Sequence, residues 1–441
     1  MKVSFLTLAL AVLILAGCAS ASLPLLPTSV TRSGFSTAES SQAQPPAPLV
    51  PPTARPMAGL PITATQPVSL TLRLWLPPQF DPSAETVASQ LLHDRLMKFT
   101  RLHPGVTVEV RVKAEDGPGG ILDSLTTASA AAPLALPDLI AMPNSLLEIA
   151  ALKGLIHSLD GLTTTNDESR NFAFANQLAH LQDSVFGLPI AGDLLVLAYR
   201  PEVISRPPVN WDEVLEANHP LVFAAADPLA LFTLALYQSD GGVIQDDTGR
   251  PYLDQFKLSD VLSFYDRATR AGLLPYWIAQ YQGQAQAWEA MAENRTDQAV
   301  TWSSYFLQEN LPGVNIAAIP TADGRLYSLA TGWVWAVASP RPEHLAVTIE
   351  LAEFLTESSF LAGWTEASGY IPPRPDALQT WGTSALVDIL TPIATSASLY
   401  PPPDLLASLG PPLKEATSEM LKQQSTPEIA AQAAANSLLQ P

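Results

Sequence analysis

The stretch that decides the fold is residues 69–112, SLTLRLWLPPQFDPSAETVASQLLHDRLMKFTRLHPGVTVEVRV. Ser69 to Leu76 alternates leucine with other residues, which predicts a β-strand. Residues 84–102 have helical spacing and stop at His103-Pro104-Gly105, and Val106 to Val112 alternates again. A strand, a helix and a second strand in this order predict two parallel strands joined by a right-handed crossover.

The same alternation continues downstream and predicts an α/β fold. Residues 121–132 and 144–152 have helical patterns, 138–141 is a short apolar strand, and 155–159 leads to Asp160. A chain of 441 residues with 47% hydrophobic composition can bury more than one core. We therefore expect two lobes, each a mostly parallel sheet flanked by helices.

The amino terminus carries an export signal. Lys2 precedes an apolar run from Val3 to Leu15, which is too short to span a membrane. Leu15-Ala16-Gly17-Cys18 resembles the bacterial lipoprotein box, in which the cysteine is lipidated and residues 1–17 are removed. An ordinary secretory signal cut nearby is the alternative. Either interpretation places the protein outside the cytoplasm, and the first anchors it to the membrane by lipid on Cys18.

A tether follows the predicted anchor. From Cys18 to residue 66 the chain is rich in Pro, Ser and Thr, with runs such as Gln44-Pro45-Pro46-Ala47-Pro48. Such a composition buries too little apolar surface to offset its ordering entropy, and its prolines favour extended geometry. We expect a semi-stiff spacer here and no folded domain before about residue 67.

Composition excludes several classes of function. The net charge of −19 argues against nucleic-acid binding. Cys18 is the only cysteine, so no intramolecular disulfide and no cysteine-based metal site can form. The six histidines are isolated in sequence, and we expect neither a metal nor a cofactor.

A series of segments follows in a fixed order, namely Phe99 to Val108, Pro137 to Ile140, Gly154 to Asp160, Gly187 to Asp193, Leu197 to Arg200, Val209 to Val214, Gly241-Gly242, Asp246 to Gly249, Gln298 to Trp302, Val314 to Pro320, Gly332 to Val337 and Gly369 to Pro372. This ordered series resembles the extracellular solute-binding proteins of ABC importers, in the branch typified by maltose- and oligosaccharide-binding proteins. Arg200 departs from the pattern, because asparagine is usual at its position.

The resemblance implies a two-lobed periplasmic-binding-protein-like fold of type II. Hinges are expected near residues 191–194, 296–301 and 325–331. Lobe 1 would comprise residues 67–190 and 302–324, and lobe 2 residues 195–295 and 332–441. It also implies capture of a carbohydrate or similar polar solute by hinge closure, and delivery to ABC permease subunits in the membrane by a monomer.

Sugar sites need flat aromatic faces for C–H groups and polar side chains for hydroxyls. Asp193 lies at the first expected hinge, and the resemblance therefore implies that this residue contacts the ligand. Each aromatic candidate could instead pack in the core, and Asp193 could be a solvated turn residue. Trp333 and Trp335 are two residues apart in a predicted strand, so both rings lie on the same face. That face is either directed to the cleft or packed under helices. The candidate ligand-binding residues are Trp75, Asp193, Trp302, Ser303, Gly332, Trp333, Trp364 and Tyr370.

Catalytic motifs are missing from the sequence. It contains no Gly-x-Ser-x-Gly, no His-Glu-x-x-His and no Gly-x-x-x-x-Gly-Lys-Ser/Thr. The paired carboxylates Asp246-Asp247 and Glu115-Asp116 lie in turn-like contexts. We therefore expect a binding protein and not an enzyme. Two alternatives remain, namely an exported glycoside-acting lipoprotein using two cleft carboxylates, and a family member repurposed as a sensor or scaffold.

Overall fold

A computed structural model describes residues 69–163, 168–338 and 341–439. The signal peptide predicted at residues 1–17, the cysteine predicted to be lipidated, Cys18, and the tether predicted up to residue 66 lie outside the described residues.

Strands and helices alternate along the described residues, as the α/β pattern predicts. The strands are β1 (Leu70–Leu76), β2 (Val106–Val112), β3 (Leu139–Pro143), β4 (His180–Leu181), β5 (Ser184–Val185), β6 (Leu188–Tyr199), β7 (Leu221–Val222), β8 (Gln298–Trp302), β9 (Asn315–Ala317), β10 (Ser328–Val337) and β11 (Ala397–Leu399). The helices are α1 (Val87–Leu102), α2 (Ile121–Ala131), α3 (Asn144–Leu152), α4 (Ala173–Ala179), α5 (Trp211–Ala217), α6 (Leu231–Ser239), α7 (Gln255–Arg270), α8 (Gln284–Ala292), α9 (Ser303–Glu309), α10 (Pro342–Phe354), α11 (Ser358–Ser368), α12 (Pro375–Leu378), α13 (Ser384–Ser396), α14 (Pro403–Leu421) and α15 (Pro427–Ser437).

The opening strand, helix, strand unit forms as predicted. β1 and β2 pair in parallel over their whole length, from Leu70 opposite Val106 to Leu76 opposite Val112. α1 begins three residues later than predicted because the Thr86 side chain caps it, accepting a hydrogen bond from Ser89 N. The helix ends at Leu102, before the Pro104-Gly105 stop.

One sheet joins most of the strands, in the order β2-β1-β3-β10-β6-β8-β7, with β11 beside β10 and β9 beside β6. Pairing is parallel among β1, β2 and β3. It becomes antiparallel where β10 meets β3 and β6, and where β6 meets β8 and β9. The α/β class predicted from the sequence is confirmed.

The long strands β6 and β10 divide the sheet into two regions. We call β1, β2, β3, the end of β10 and Leu188 to Leu194 of β6 the first sheet region. The second sheet region comprises Leu195 to Tyr199 of β6 with β7, β8 and β9. All twelve residues of β6 are buried, so this strand passes from the first sheet region to the second through the protein interior.

Side chains of the first sheet region alternate between two cores. Leu72, Leu74, Trp333 and Trp335 belong to a core with α1, α10 and α11. Trp75, Ile140, Met142 and Val334 face a second, larger core that includes α2, α3 and α4 and extends into the second sheet region. The predicted placement of Trp333 and Trp335 on one face is confirmed.

The packing differs from the predicted lobes. Residues 302–324 were assigned to lobe 1, but β9 pairs with Leu197 to Tyr199 in the second sheet region. α10 and α11 were assigned to lobe 2, but they pack with α1 in the core of the first sheet region. The predicted hinge at 296–301 coincides with β8, which pairs along its whole length with Leu195 to Tyr199 and does not change region. Strand order cannot be read from local periodicity, because partners lie far apart in the chain.

A buried carboxylate fastens α10 to the strands. Asp138 is fully buried and accepts hydrogen bonds from Arg73 N at 2.8 Å and Arg341 Nη2 at 2.7 Å, and His344 Nδ1 lies 2.9 Å from its other oxygen. A buried carboxylate persists when its lone pairs are satisfied in this way. Asp138 therefore fixes the junction of β1, β3 and α10.

Candidate functional site

The carboxyl ends of β1, β2 and β3 meet at one edge of the sheet, because the three strands are parallel. Gln79 follows β1, Glu115 follows β2, and Asn144 follows β3. Ligands of open α/β sheets bind beyond such an edge. The candidate site is built around these residues.

Glu115 connects three segments of this edge. Its Oε1 accepts hydrogen bonds from Gln79 Nε2 and, at 3.2 Å, from Trp333 Nε1. Trp333 comes from β10, which is 218 residues further along the chain. The interaction joins a carboxylate, an amide and an indole at one position, which are the groups that bind hydroxyls and sugar faces.

Tyr400, in the loop between β11 and α14, reaches the same edge. The side chains of Thr331, Ser145 and Asn144 lie close enough to its phenol to act on its pKa, which burial raises above the usual value. Asn144 and Ser145 begin α3, whereas Thr331 lies in β10. Tyr400 therefore links the end of β3 to the segment that leads into α14. We call Gln79, Glu115, Trp333, Asn144, Ser145 and Tyr400 the edge cluster.

Two cavities adjoin the edge cluster. One, of about 360 Å³, is lined by Glu115, Asp116, Asp123 and Lys153 among others. Its volume lies in the range of small-molecule sites. The other, of about 70 Å³, includes Asn144, Gln177 and Tyr400 in its wall. A polar solute can enter the first cavity beside Glu115.

Asp193 lies where β6 passes from the first sheet region to the second. Oδ1 accepts hydrogen bonds from Ser303 Oγ at 2.7 Å and from the backbone N–H of Ser304 at 2.9 Å, and Oδ2 accepts one from Ser304 Oγ at 2.6 Å. Burial raises the pKa of this carboxyl from 3.8 to about 6, although the serine hydrogen bonds oppose the shift. Here Asp193 holds α9 to the crossing strand.

The structure brings three of the predicted aromatic residues together around Phe80. Trp333, Trp364 and Tyr370 have ring centroids 5.5, 4.9 and 5.7 Å from that of Phe80. All four side chains are buried in the core of the first sheet region. Trp333 belongs both to this buried aromatic group and to the edge cluster. The packing of its ring therefore fixes the position of the indole N–H that bonds Glu115.

The remaining predicted residues lie apart from the edge cluster or beneath it. Trp75 is buried in the larger core, with Lys113 Nζ 5.0 Å from its ring centroid. Trp302, at the end of β8, is partly buried against the larger core. Ser303 is fully buried and donates to Asp193. Gly332 packs against Ala191, so tightly that an added Cβ would lie 2.2 Å from its carbonyl oxygen.

Sequence reasoning missed most of the edge cluster. Gln79, Glu115 and Asn144 could have been found, because each follows a predicted strand of a parallel sheet. Glu115 was instead interpreted as part of a solvated turn. No sequence pattern identifies Tyr400 as a site residue. It lies near Asn144 only because the chain folds back to the edge of the sheet after β11.

Neither metal binding nor membrane spanning has support in the described parts of the chain. Within residues 69–163, 168–338 and 341–439, no group of three or more His, Cys, Asp or Glu side chains could hold a metal ion. In the same ranges, no helix combines the length and the hydropathy needed to cross a membrane.

Comparison with protein families gives one match over most of the folded chain. The model of the bacterial extracellular solute-binding protein family matches residues 95–389. Among curated protein sequences, none matches significantly.

Solved structures of sugar-binding proteins share the fold. Maltose-bound MalE3 of T. maritima has 17% identity and a TM-score of 0.64, covering 84% of this chain and 99% of that one. The cyclic alpha-maltosyl-1,6-maltose binding protein of Arthrobacter globiformis has 14% identity and a TM-score of 0.69, covering 84% and 98%. A solute-binding protein of Thermotoga lettingae bound with alpha-D-tagatose has 20% identity and a TM-score of 0.65, covering 84% and 99%. At these identities the likeness establishes the fold.

Proposed function

The chain belongs to the bacterial extracellular solute-binding protein family, and on this basis we propose that it captures a carbohydrate and delivers it to an ABC importer. The sugar ligands named for the structural relatives, maltose and tagatose among them, support this solute class. The observation that carries the proposal is the edge cluster, in which Glu115, Trp333 and Tyr400 converge at the carboxyl edge of a parallel sheet.

The edge cluster has the chemistry that a sugar requires. Glu115 supplies charged acceptor oxygens, whereas Asn144 and Gln79 supply amides that both donate and accept. The indole N–H of Trp333 bonds Glu115, and the phenol of Tyr400 lies beside Asn144 and Ser145. The adjacent cavity of about 360 Å³ also presents the carboxylates of Asp116 and Asp123. A solute with several hydroxyls fits this set better than an apolar or anionic one.

The fold provides a means of closure. We propose that lobe 1 consists of the first sheet region with α1 to α4, α10 and α11, and that lobe 2 consists of the second sheet region with α5 to α9 and α13 to α15. The chain passes between them in β6, in β10 and again near Ile371, whose backbone pairs with Gly192. Bending at these crossings would move Tyr400 relative to Asn144 and Ser145, and a solute touching both sides would favour the closed form.

The amino-terminal segment completes the proposal. Lipid on Cys18 would anchor the protein, and residues 19–66 would let the lobes turn toward permease subunits at high effective concentration. A Cys18→Ala variant should bind sugar normally, be shed from the membrane and support no uptake. Normal uptake by the shed protein would refute the anchoring role.

A sugar panel tests the central proposal. The purified protein is heated with mono-, di- and oligosaccharides and polyols, and thermal unfolding and tryptophan fluorescence are recorded. Binding to the folded state raises the unfolding midpoint with ligand concentration. No response to any member of the panel would refute carbohydrate capture.

Recovery of the ligand separates binding from catalysis. Relatives in the family are binding proteins, and we propose that this chain releases its ligand unchanged. A bound oligosaccharide should return intact after the protein is denatured, as mass spectrometry would show. Shortened products would instead favour the glycoside-acting alternative, with Glu115 and Asp116 as the carboxylates to test first.

A further inference from the structure

β2 lies at one end of the sheet. It pairs with β1 on one side, and in the described part of the chain no strand pairs with its other side. Its alternating sequence, VTVEVRV, is exposed at Thr107, Glu109, Arg111 and Val112. The strand at the opposite end of the sheet, β7, has two residues, and both are buried. β2 is therefore a long open edge strand, and such a strand is a template for pairing with another strand.

A hydrogen bond to β1 shows which backbone groups of β2 point outward. Just beyond the end of β2, Lys113 N donates to Leu76 O at 2.8 Å. Because backbone groups alternate in direction along a strand, the odd-numbered residues of β2 bond β1. The N–H and C=O groups of Val108, Val110 and Val112 then point away from the sheet. We call these backbone groups the outer side of β2.

Two opposite charges lie on one face of β2. Glu109 and Arg111 are two residues apart, so their side chains share that face, and they form an ion pair at 2.8 Å. The two side chains are 43% and 46% exposed. Val106, Val108 and Val110 lie on the other face, partly buried against the core of the first sheet region. The outer side of β2 is thus flanked by accessible charges on one face and by half-buried valines on the other.

These charges select one arrangement for a second copy of β2. In an antiparallel pair related by a two-fold axis, the outward-pointing residues bond each other and the axis passes through one residue. An axis at Glu109 or at Arg111 would place like charges opposite each other, and an axis at Val108 would pair neither charge. An axis at Val110 places Glu109 of each copy opposite Arg111 of the other. Opposite charges at directly opposed positions stabilise a strand pair, whereas like charges destabilise it.

We propose that two copies of this chain associate through the outer side of β2, in an antiparallel two-fold pairing centred on Val110. The pairing joins the two sheets into one continuous sheet, with Glu109 of each copy facing Arg111 of the other. The family resemblance by itself implies a monomer, and the charge pattern of β2 is the observation that favours association. The pairing does not depend on what the edge cluster binds.

The pairing is weak in dilute solution. One strand of seven residues from each copy forms the contact, which places it among the small, transient interfaces. We expect a dissociation constant on the order of 100 μM. The lipid proposed on Cys18 would hold both copies at one membrane, where the effective concentration of tethered partners is on the order of millimolar. Association is therefore favoured at the membrane.

Sedimentation velocity of the purified full-length chain, from about 10 to about 500 μM, measures the association. A Cys18→Ala background excludes disulfide-linked dimers. Glu109→Arg opposes two arginines across the pair, and Arg111→Glu opposes two glutamates, so each should weaken dimerisation at least about tenfold. Glu216→Arg is the matched control, because it makes the same change in net charge at an exposed position of α5 and should leave dimerisation unchanged.

An equimolar mixture of Glu109→Arg and Arg111→Glu tests the register. Each variant repels its own kind, but every charge of one variant meets the opposite charge of the other when the axis passes through Val110. The mixture should therefore dimerise about as strongly as the unaltered chain. A mixture that associates no more strongly than either variant by itself would overturn the proposal.

An unaltered chain that stays monomeric over the whole concentration range would also overturn it, and would leave the outer side of β2 to another segment or another protein. Circular dichroism shows whether the charge-reversed variants fold. If they do not, Arg111→Gln decides the question, because it removes the charge pair without introducing repulsion. This variant should weaken dimerisation about threefold, and unchanged dimerisation would contradict the pairing.

Discussion

Asp193 Oδ1 and Ser303 Oγ lie 2.7 Å apart, joining the middle of β6 to the first residue of α9. Both side chains are buried, and the same carboxylate also holds the N–H and hydroxyl of Ser304. The crossing strand is therefore fixed to a helix of the second sheet region at the point where the sheet changes region.

Removing this carboxylate should destabilise the protein. Asp193→Ala leaves both serine hydroxyls and the Ser304 N–H without an acceptor, and we expect a loss of about 2 to 4 kcal/mol in the free energy of unfolding. Asp193→Asn keeps one acceptor oxygen and should lose less. Urea denaturation measures both variants, and equal stability of Asp193→Ala and the unaltered chain would show that the serines find other partners.

The same residue gives a pH dependence of stability. Burial raises the pKa of Asp193 in the folded state from 3.8 to about 6, so the folded state binds a proton between these values. The contribution of Asp193 to the free energy of unfolding therefore falls as pH rises through that window. Between pH 4 and pH 7 the free energy of unfolding decreases by up to roughly 3 kcal/mol. The difference in unfolding free energy between the unaltered chain and Asp193→Asn should follow this curve. Parallel pH profiles would contradict it.

Substitution of Gly332 and Gly363 by alanine tests how closely β10 packs against β6, because only Gly332 lies at that contact. An alanine Cβ at position 332 would lie 2.2 Å from Ala191 O and 2.8 Å from Leu178 Cδ1, whereas at 363 it would meet nothing within 4 Å. Gly332→Ala should therefore cost about 2 kcal/mol or more, because the β6–β10 pairing must shift. Gly363→Ala, at an exposed position of α11, should add about 0.5 to 1 kcal/mol. Thermal unfolding compares them, and two similar midpoints would contradict the close packing.

Loss of the Tyr400 hydroxyl should favour the open form. Tyr400→Phe removes the hydroxyl that lies beside Asn144, Ser145 and Thr331, so the population of the closed form should decrease severalfold. Spin labels at exposed Gln90 and Lys422, on cysteines introduced into a Cys18→Ala background, report the distance between lobes by electron paramagnetic resonance. Tyr276→Phe, at a tyrosine that is 80% exposed, is the control. Identical distance distributions for all three proteins would rule out a closing role for Tyr400.

Glu115 should determine sugar affinity. Glu115→Gln replaces a charged acceptor, so the affinity for the sugar found in the panel should fall about tenfold. Glu109→Gln alters an exposed acid on β2, away from the edge cluster, and should have no effect. Isothermal titration calorimetry gives both constants. If the two variants bind alike, the ligand lies elsewhere.

Much of the first sheet region was predictable from the sequence. The bounds of β1, β2 and α3 follow from alternation, helical spacing and turn residues, and the shared face of Trp333 and Trp335 follows from the period of a strand. These features depend on residues close together in the chain. The lobe boundaries, by contrast, depend on which distant strand β9 joins, and no local pattern indicates that it pairs with β6.

The sequence by itself determined the α/β class, the order of elements and the edge at which the parallel strands end, because local periodicity and chain handedness specify them. Only the tertiary structure decided that Glu115 bonds Trp333 across 218 residues, that Tyr400 reaches Asn144, and that Asp193 is enclosed by two serines. Such contacts arise from the packing of whole layers, and the lowest free energy for a buried polar group depends on partners that no local pattern identifies.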